Sequence, residues 1–316
     1  MAVTGNTFFF QWEVALIEWL QTHLGSTAIS ILSLFSVFGE ELMLILVAGF
    51  VYWSFDKKLG RTIGLSAIMA QTWNSMAKNI ALRRRPYFDN ENIKILRVVD
   101  PEADLYDAAA QGYSFPSGHA TNATSVFGSL AVNKRKCALT VIAIVLPLLT
   151  GLSRVVVGAH YPTDVLAGWL LSILSVLIVR FLQSRVKNTL ALYGILLVAA
   201  VPGFFFCKST DYFSTVGLLI GLMGGTLLDD RFVHFENTRK PVWMIVRVLG
   251  GVALYFALNT LCKLPFSDDF LKDSSIASLT VRFARYAVIS FIEFGVYPML
   301  FRLESKCQKK KESAEA

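Results

Sequence analysis

The sequence predicts an all-α fold, a polytopic bundle of transmembrane helices. Of its 316 residues, 54% are hydrophobic and only 17% are charged. The apolar residues fall in long blocks separated by short charged clusters, which is membrane patterning and not that of one large soluble core. The net charge of +7 could suit a nucleic acid, but the Lys and Arg residues lie in short clusters between blocks and in the tail, with no continuous basic face. The pattern favours topology signals and no nucleic-acid partner.

Phe8 to Leu20 reads as an amphipathic helix with Trp12 and Trp19 seven apart, and 27–38 is too short to span. Residues 1–38 are therefore expected to form an outer-surface helix followed by a re-entrant turn. The first twenty-five residues carry Glu13 and Glu18 but no Lys or Arg, so the cationic start of a secretory signal is missing and no cleavage is expected. Apolar blocks near the span of about 20 residues follow at 39–55, 61–82, 117–132, 138–157, 162–183, 189–206, 212–228, 242–262 and 277–301, giving nine expected helices. Thr121, Asn122, Thr124 and Ser125 interrupt the 117–132 block, which is expected inside the bundle, away from lipid. Residues 39–188 are expected to form a core, 189–303 additional helices, and 304–316 a polar cytoplasmic tail.

Cationic clusters set the orientation. Lys57/Lys58/Arg61, Lys134/Arg135/Lys136, Arg180/Arg185/Lys187, Arg231/Arg239/Lys240 and Lys306/Lys309/Lys310/Lys311 occur at every second connection, as the positive-inside rule requires. Those connections and the C-terminus are expected in the cytoplasm. Connections 83–116, 158–161, 207–211 and 263–276 then face outward, although Arg83, Arg84 and Arg85 make the first of them locally basic.

Three expectations concern packing. Gly217, Gly221 and Gly225 form a small-residue ridge for close helix contact, within the chain in preference to between subunits. Arg247 and Glu293, ~8 and ~10 Å from the cytoplasmic end of their helices, are expected to pair, because a charge facing lipid costs roughly 2.5–3.5 kcal/mol. The competing arrangement has Arg247 snorkel to the headgroups. Cys137, Cys207, Cys262 and Cys307 show no short paired spacing, so no zinc or other metal site and no redox motif is expected; Cys207 and Cys262, both at outer helix ends, could be bridged if that side is oxidising, with two free buried thiols the preferred reading.

Three clusters carry chemistry, all on the expected outer face. The first is Lys78, six residues, then Arg85-Pro86; seven residues make nearly two helical turns, which puts both cations on one face with Pro86 ending the helix. Interfacial snorkelling is the plain alternative. It suits Arg83 and Arg84, but suits Lys78 poorly because Gln71 and Asn74 continue the polar stripe inward. The second cluster is Pro116-Ser117-Gly118-His119, where Ser117 caps a helix and Gly118 lets a group approach the backbone; a helix N-terminus is an anion site. An ordinary capped start with an incidental His fits the tetrapeptide equally well. The third is Ser153-Arg154, then His160, then Asp164. The i, i+4 spacing lets the carboxylate hold one ring nitrogen and free the other, the logic of an oriented nucleophile. A purely packing His–Asp bond is disfavoured by the cost of ionisable groups at a membrane boundary.

Together the three clusters resemble the signature of the type 2 phosphatidic acid phosphatase superfamily, which includes vanadium-dependent haloperoxidases and glucose-6-phosphatase-like enzymes. The resemblance covers about residues 39–183 and implies a six-helix-type phosphatase core with additional C-terminal transmembrane helices. It implies that His160 attacks phosphorus, Asp164 orients it and His119 protonates the leaving oxygen. It further implies that Lys78, Arg85, Arg154, Ser117 and Gly118 hold the phosphoryl oxygens, with no metal or other cofactor. The expected partner is a membrane lipid phosphate such as a polyprenyl diphosphate or phosphatidic acid, met on the non-cytoplasmic face of a cell membrane. Val98, Val99, Tyr106 and other apolar residues of 87–115 are expected to cover it. A transporter that keeps the pocket for binding would need only the cations, and haloperoxidases are soluble. The signature leaves the helices after 189 and the oligomeric state unassigned.

Overall fold

Lipid offers no partner to a backbone N–H or C=O, so a chain of apolar blocks satisfies its backbone within helices. The computed structural model describes residues 5–98 and 102–302. Val99, the tail 304–316 with Cys307 and its lysines lie outside the described residues, which are helical apart from loops and one isolated bridge, Asn6 to Arg83.

In chain order the helices are α1 (Gln11–His23), α2 (Ser26–Leu34), α3 (Glu41–Phe50), α4 (Lys57–Ala81), the short α5 (Pro86–Asp89) and α6 (Ala108–Gln111), then α7 (Gly118–Lys134), α8 (Cys137–Val156), α9 (Pro162–Arg185), α10 (Thr189–Ala200), α11 (Thr210–Leu228), α12 (Pro241–Leu261), the short α13 (Asp268–Lys272) and α14 (Ile276–Phe291). Four helical runs are long and apolar enough to cross a membrane: Cys137–Val156, Pro162–Arg185, Thr210–Val233 and Pro241–Leu261. The other sequence blocks depart from simple spans for local reasons. Blocks 39–55 and 189–206 form shorter apolar helices. Block 61–82 belongs to α4, whose Gln71, Asn74 and Lys78 dilute its hydropathy, and 277–301 breaks into α, π and 3-10 turns. Helix α7 is buried from Ala120 to Phe127, as its polar interruptions anticipate.

The chain divides into two compact units. The first comprises 1–44 and 73–181. Its helices α8 and α9 expose apolar side chains such as Val141, Ile144, Leu148, Leu170 and Leu177, the surface lipid solvates. Helices α1 and α2 meet at a bend of 116°. The inner face of α1, Val14 and Ile17, is buried with Tyr87, Ile93, Val155, Tyr161 and Val165, which brings the N-terminal helix onto the loops between the longer helices.

The second unit comprises 45–72 and 182–316. Here the glycine ridge faces α14. A Cβ on Gly221 would stand 2.6 Å from Ser290 Cβ, and one on Gly225 2.9 Å from the Gly295 nitrogen, so the ridge serves contact within the chain. Cys207 and Cys262 are free. The expected Arg247–Glu293 pair does not form. Arg247 donates to the carbonyls of Trp53 at 2.7 Å and Glu236 at 2.8 Å and lies 4.2 Å from the Phe301 ring centroid. Trp53 sits in a π turn and Glu236 in a non-helical stretch, where carbonyls lack their usual helical donor. Glu293 is 5% exposed and its carboxylate oxygens have no hydrogen-bond partner.

Because α14 backbone meets the ridge, Gly221→Leu is expected to destabilise the protein by at least about 1–3 kcal/mol, the usual range for overpacking. Unfolding in detergent reads this; light scattering is expected to show the oligomeric state of the remaining folded fraction unchanged. A shifted oligomeric state with undiminished stability would count against the intrachain assignment.

Candidate active site

Helix α4 delivers Lys78 in its last turn and then stops. Leu82 takes a left-handed conformation, φ 49°, and the following run is extended. Asn6 pairs with it, its N–H donating to the Leu82 carbonyl at 2.7 Å and its carbonyl accepting from the Arg84 N–H at 3.0 Å. The single helical face expected for Lys78 and Arg85 is therefore not what joins them, since the helix ends four residues before Arg85. Loop contacts hold them instead. Lys78 Nζ donates to the Tyr113 carbonyl at 2.9 Å. Arg85 donates through Nε to the carbonyls of Gln111 and Gly112, both at 2.9 Å, and through Nη1 to that of Ala159 at 3.0 Å. Arg85 thus ties the loop before α7 to the connection between α8 and α9.

Ser117 caps α7, its Oγ accepting from the Ala120 N–H at 3.4 Å, and its own N–H donates to the Asp164 carbonyl at 2.9 Å. Gly118 opens the helix. His119 stands where the chain at Gly39 comes so close that a Cβ there would be 2.6 Å from His119 Cβ. Arg154, in the last turn of α8, is buried; Nη1 donates to Ser36 Oγ at 3.3 Å, and Nε has no partner. Its carbonyl accepts from the N–H groups of Ala159 (3.1 Å) and His160 (3.2 Å). This tight turn needs Gly158 at φ +73°, where any Cβ would also stand 2.6 Å from the Lys94 carbonyl.

His160 and Asp164 face each other as their spacing requires, but at 3.5 Å from Nδ1 to Oδ2, long for a direct hydrogen bond. Ser114 mediates: its Oγ lies 3.4 Å from His160 Nδ1 and donates a short hydrogen bond to Asp164 Oδ2. Asp164 Oδ2 also accepts from the Tyr161 N–H at 2.7 Å. The other ring nitrogen of His160, Nε2, makes no hydrogen bond among the described residues.

Behind the carboxylate lies a group the motif reading passes over. Arg83, 1% exposed, is no snorkelling residue. One Nη donates to Asp164 Oδ1 at 2.7 Å, the other to Glu13 Oε2 at 2.7 Å, and Nε donates to the Phe8 carbonyl at 2.7 Å. Its guanidinium lies 4.0 Å from the Tyr161 ring centroid. Glu13, fully buried on α1, accepts in turn from the N–H and hydroxyl of Thr163 at 3.0 and 2.5 Å. The one sequence signal for this network is Glu13 itself, an acid on the same helical face as Ile17 and Leu20. Arg84 pairs with Asp89 at 2.8 Å. Ser114 had no signal beyond its nearness to the second cluster.

Burial holds the His160 imidazole well below its ordinary pKa, and the charges of Arg85, Lys78 and Arg154 add to that depression, which favours the neutral ring at neutral pH. The charges of Arg154, Arg85 and Arg97 also reach His119. All three sequence clusters therefore converge. Gly118 begins the helix beside them, and among the described residues no three His, Cys, Asp or Glu side chains group as metal ligands.

Fold and site together define an integral-membrane protein with a buried histidine site ringed by cations. The PAP2 superfamily description matches residues 59–187, and that of the PAP2 superfamily phosphatase transmembrane extension matches 213–309; the chain belongs to the PAP2 superfamily. It is 29% identical over 133 residues to an undecaprenyl-diphosphatase of Sulfolobus acidocaldarius, an alignment covering 42% of this chain and 57% of that protein. It is 37% identical over 85 residues to phosphatidylglycerophosphatase B of Bacillus subtilis, covering 24% of this chain and 42% of that protein. A lipid A 1-phosphatase of Rhizobium etli is 46% identical over 55 residues, 17% of this chain and 23% of that protein. The chain thus spans about half the length of the first two relatives or less. No solved structure matches.

Removing Arg83 leaves two buried carboxylates facing each other without their shared cation, and losing one partner of a buried pair typically costs about 3–5 kcal/mol. Arg83→Met is expected to lose that much in denaturant unfolding, and Glu13→Gln combined with Arg83→Met less than the sum of the single changes. Strict additivity would show that the network carries no coupling.

Proposed function

We propose that this protein is an integral-membrane lipid phosphate or diphosphate phosphatase that works through a phosphohistidine without a metal. The observation that carries this reading is the convergence of the Lys78, Arg85 and Arg154 charges on a neutral His160 whose Nδ1 side is held by Ser114 and Asp164. That arrangement leaves the Nε2 lone pair for attack on phosphorus. As the N–P bond forms and the bond from phosphorus to the lipid oxygen breaks, His119 gives that oxygen its proton. His119 then takes a proton from the water that attacks phosphorus, and the N–P bond breaks to release phosphate. Asp164, backed by Arg83, stabilises the positive charge that develops on His160. Lys78, Arg85, Arg154, the Ser117 hydroxyl and the Gly118 N–H hold the equatorial oxygens, where transferring phosphoryl groups spread their charge; the Ser117 N–H is already given to the Asp164 carbonyl.

The relatives' printed names, which are lipid phosphatases and diphosphatases, support the substrate class. The positive-inside pattern supports a site on the non-cytoplasmic face of the cell membrane and a cytoplasmic C-terminus. A panel of polyprenyl diphosphate, phosphatidic acid, phosphatidylglycerophosphate and sphingoid-base phosphate is the direct assay for phosphate release. His160→Ala is expected to abolish release on every substrate. Vanadate, which mimics five-coordinate phosphorus, is expected to inhibit, and EDTA to leave the rate intact; loss in EDTA restored by Mg²⁺ would overturn the metal-free mechanism.

The histidine shift sets the pH profile. Folded His160 is depressed, so as pH falls it keeps its lone pair below the ordinary imidazole value of about 6.5, and activity is lost only lower. The acid limb of kcat/KM is therefore expected below that value. An acid limb at or above it would contradict the neutral-nucleophile assignment.

A further inference from the structure

On α14 the second unit holds a buried cation, Arg285, and a half-buried one, Arg282, with no counter-charge among the described residues. Ser278, Arg282 and Arg285 lie at i, i+4 and i+7 on α14, one helical face. Arg285 is 6% exposed; its Nη2 donates to Asn259 Oδ1 at 3.0 Å, and its Nε has no partner. Among the described residues Arg282 donates only to the Leu271 carbonyl, at 3.2 Å. Ser278, 1% exposed, has a hydroxyl without a hydrogen-bond partner. Neither arginine has an acidic partner among the described residues, and each stands within electrostatic reach of the other.

Such an arrangement is costly as it stands. Two like charges at a membrane boundary are held by a neutral amide and a carbonyl, whereas intramembrane cations ordinarily meet a counter-charge. Several other cations of the same unit find partners within it, although the buried Glu293 carboxylate does not. Lys57 pairs with Asp229 at 2.8 Å, Arg61 with Asp230 at 2.7 Å, and Arg247 has two carbonyls and an aromatic face. The α14 face is the exception. Two guanidinium forks, a hydroxyl and a side-chain amide are the donor types that phosphate oxygens accept from. Arg282 and Arg285 stand about 9 and about 13 Å along α14 from Ile276 at about 1.5 Å per residue. That depth is just beneath a headgroup layer of roughly 5–7 Å, within reach of long side chains.

We propose that Ser278, Arg282 and Arg285 of α14, with Asn259 of α12, form a second anion site, separate from the histidine site, that takes a phosphate group carried by a lipid headgroup or free in solution. The site does not depend on the phosphatase reading. The bound anion supplies the missing counter-charge, and the site thereby holds an anionic lipid or phosphate on the transmembrane extension.

The test uses the full chain in nanodiscs of zwitterionic lipid. Phosphatidylglycerol is the lipid probe because, as a diester, it is not a substrate of the chemistry proposed for His160. Native mass spectrometry counts retained phosphatidylglycerol, and equilibrium binding of radiolabelled inorganic phosphate counts free anion, for wild type, Arg282→Gln, Arg285→Lys and the Arg282→Gln/Arg285→Gln double variant. Circular dichroism controls for folding. A lipid site predicts phosphatidylglycerol affinity at least about tenfold weaker in the double variant, from the loss of charge-assisted bonds, with Arg285→Lys in between. A free-phosphate site predicts unchanged lipid retention and the loss of one phosphate per chain. Equal binding of both probes by wild type and variants overturns the proposal, and if the double variant does not fold, Arg282→Gln is read in the same way. Loss of phosphate release in His160→Ala without change in phosphatidylglycerol binding keeps the two sites distinct.

Discussion

Arg83 is held between two buried carboxylates, and the geometry of the histidine site rests on that guanidinium. It fixes Asp164 from behind and so fixes the direction from which Asp164 and Ser114 meet His160. Through Glu13, which also accepts from Thr163, it anchors α1 behind Asp164. A buried ion pair is seldom a net source of stability, because desolvation offsets the Coulombic gain. What such a triad gives is uniqueness: each charge has one low-energy arrangement, and the imidazole inherits it. The flat face of Tyr161 against the guanidinium completes the packing.

The same accounting of charge organises the rest of the protein. In the first unit Arg83 is neutralised by two carboxylates, whereas Arg154 has, among the described residues, one hydroxyl partner and an unpartnered Nε. In the second unit Arg247 uses carbonyls released by a π turn and a non-helical stretch, a solution open because the backbone leaves α geometry there. Where a cation cluster lacks such partners, the physical expectation is an anion from outside the chain. That expectation applies to the histidine site and, independently, to the α14 face.

Composition and block length were enough for the all-α membrane architecture, because a bilayer imposes both apolarity and helical backbone satisfaction on whatever spans it. The three clusters were legible as well, since caps, helix starts and i, i+4 pairs are set by local geometry. Ser117 as the cap and His160 opposite Asp164 are examples. Local periodicity misplaced Arg85, which reaches Lys78 through loop contacts and not along a helix. It also gave Arg83 to the interface.

Only tertiary structure could decide the partners of Arg83. Its contacts to Glu13 and Asp164 join positions 70 and 81 residues apart, a separation at which no helical or turn periodicity operates. The failed pairing of Arg247 with Glu293 has the same cause. Equal depth in the membrane follows from rise per residue and is readable from sequence, but which side chain faces which depends on the rotation and neighbours of each helix. Those are fixed by packing, here by glycines on α11 that let α14 backbone close in.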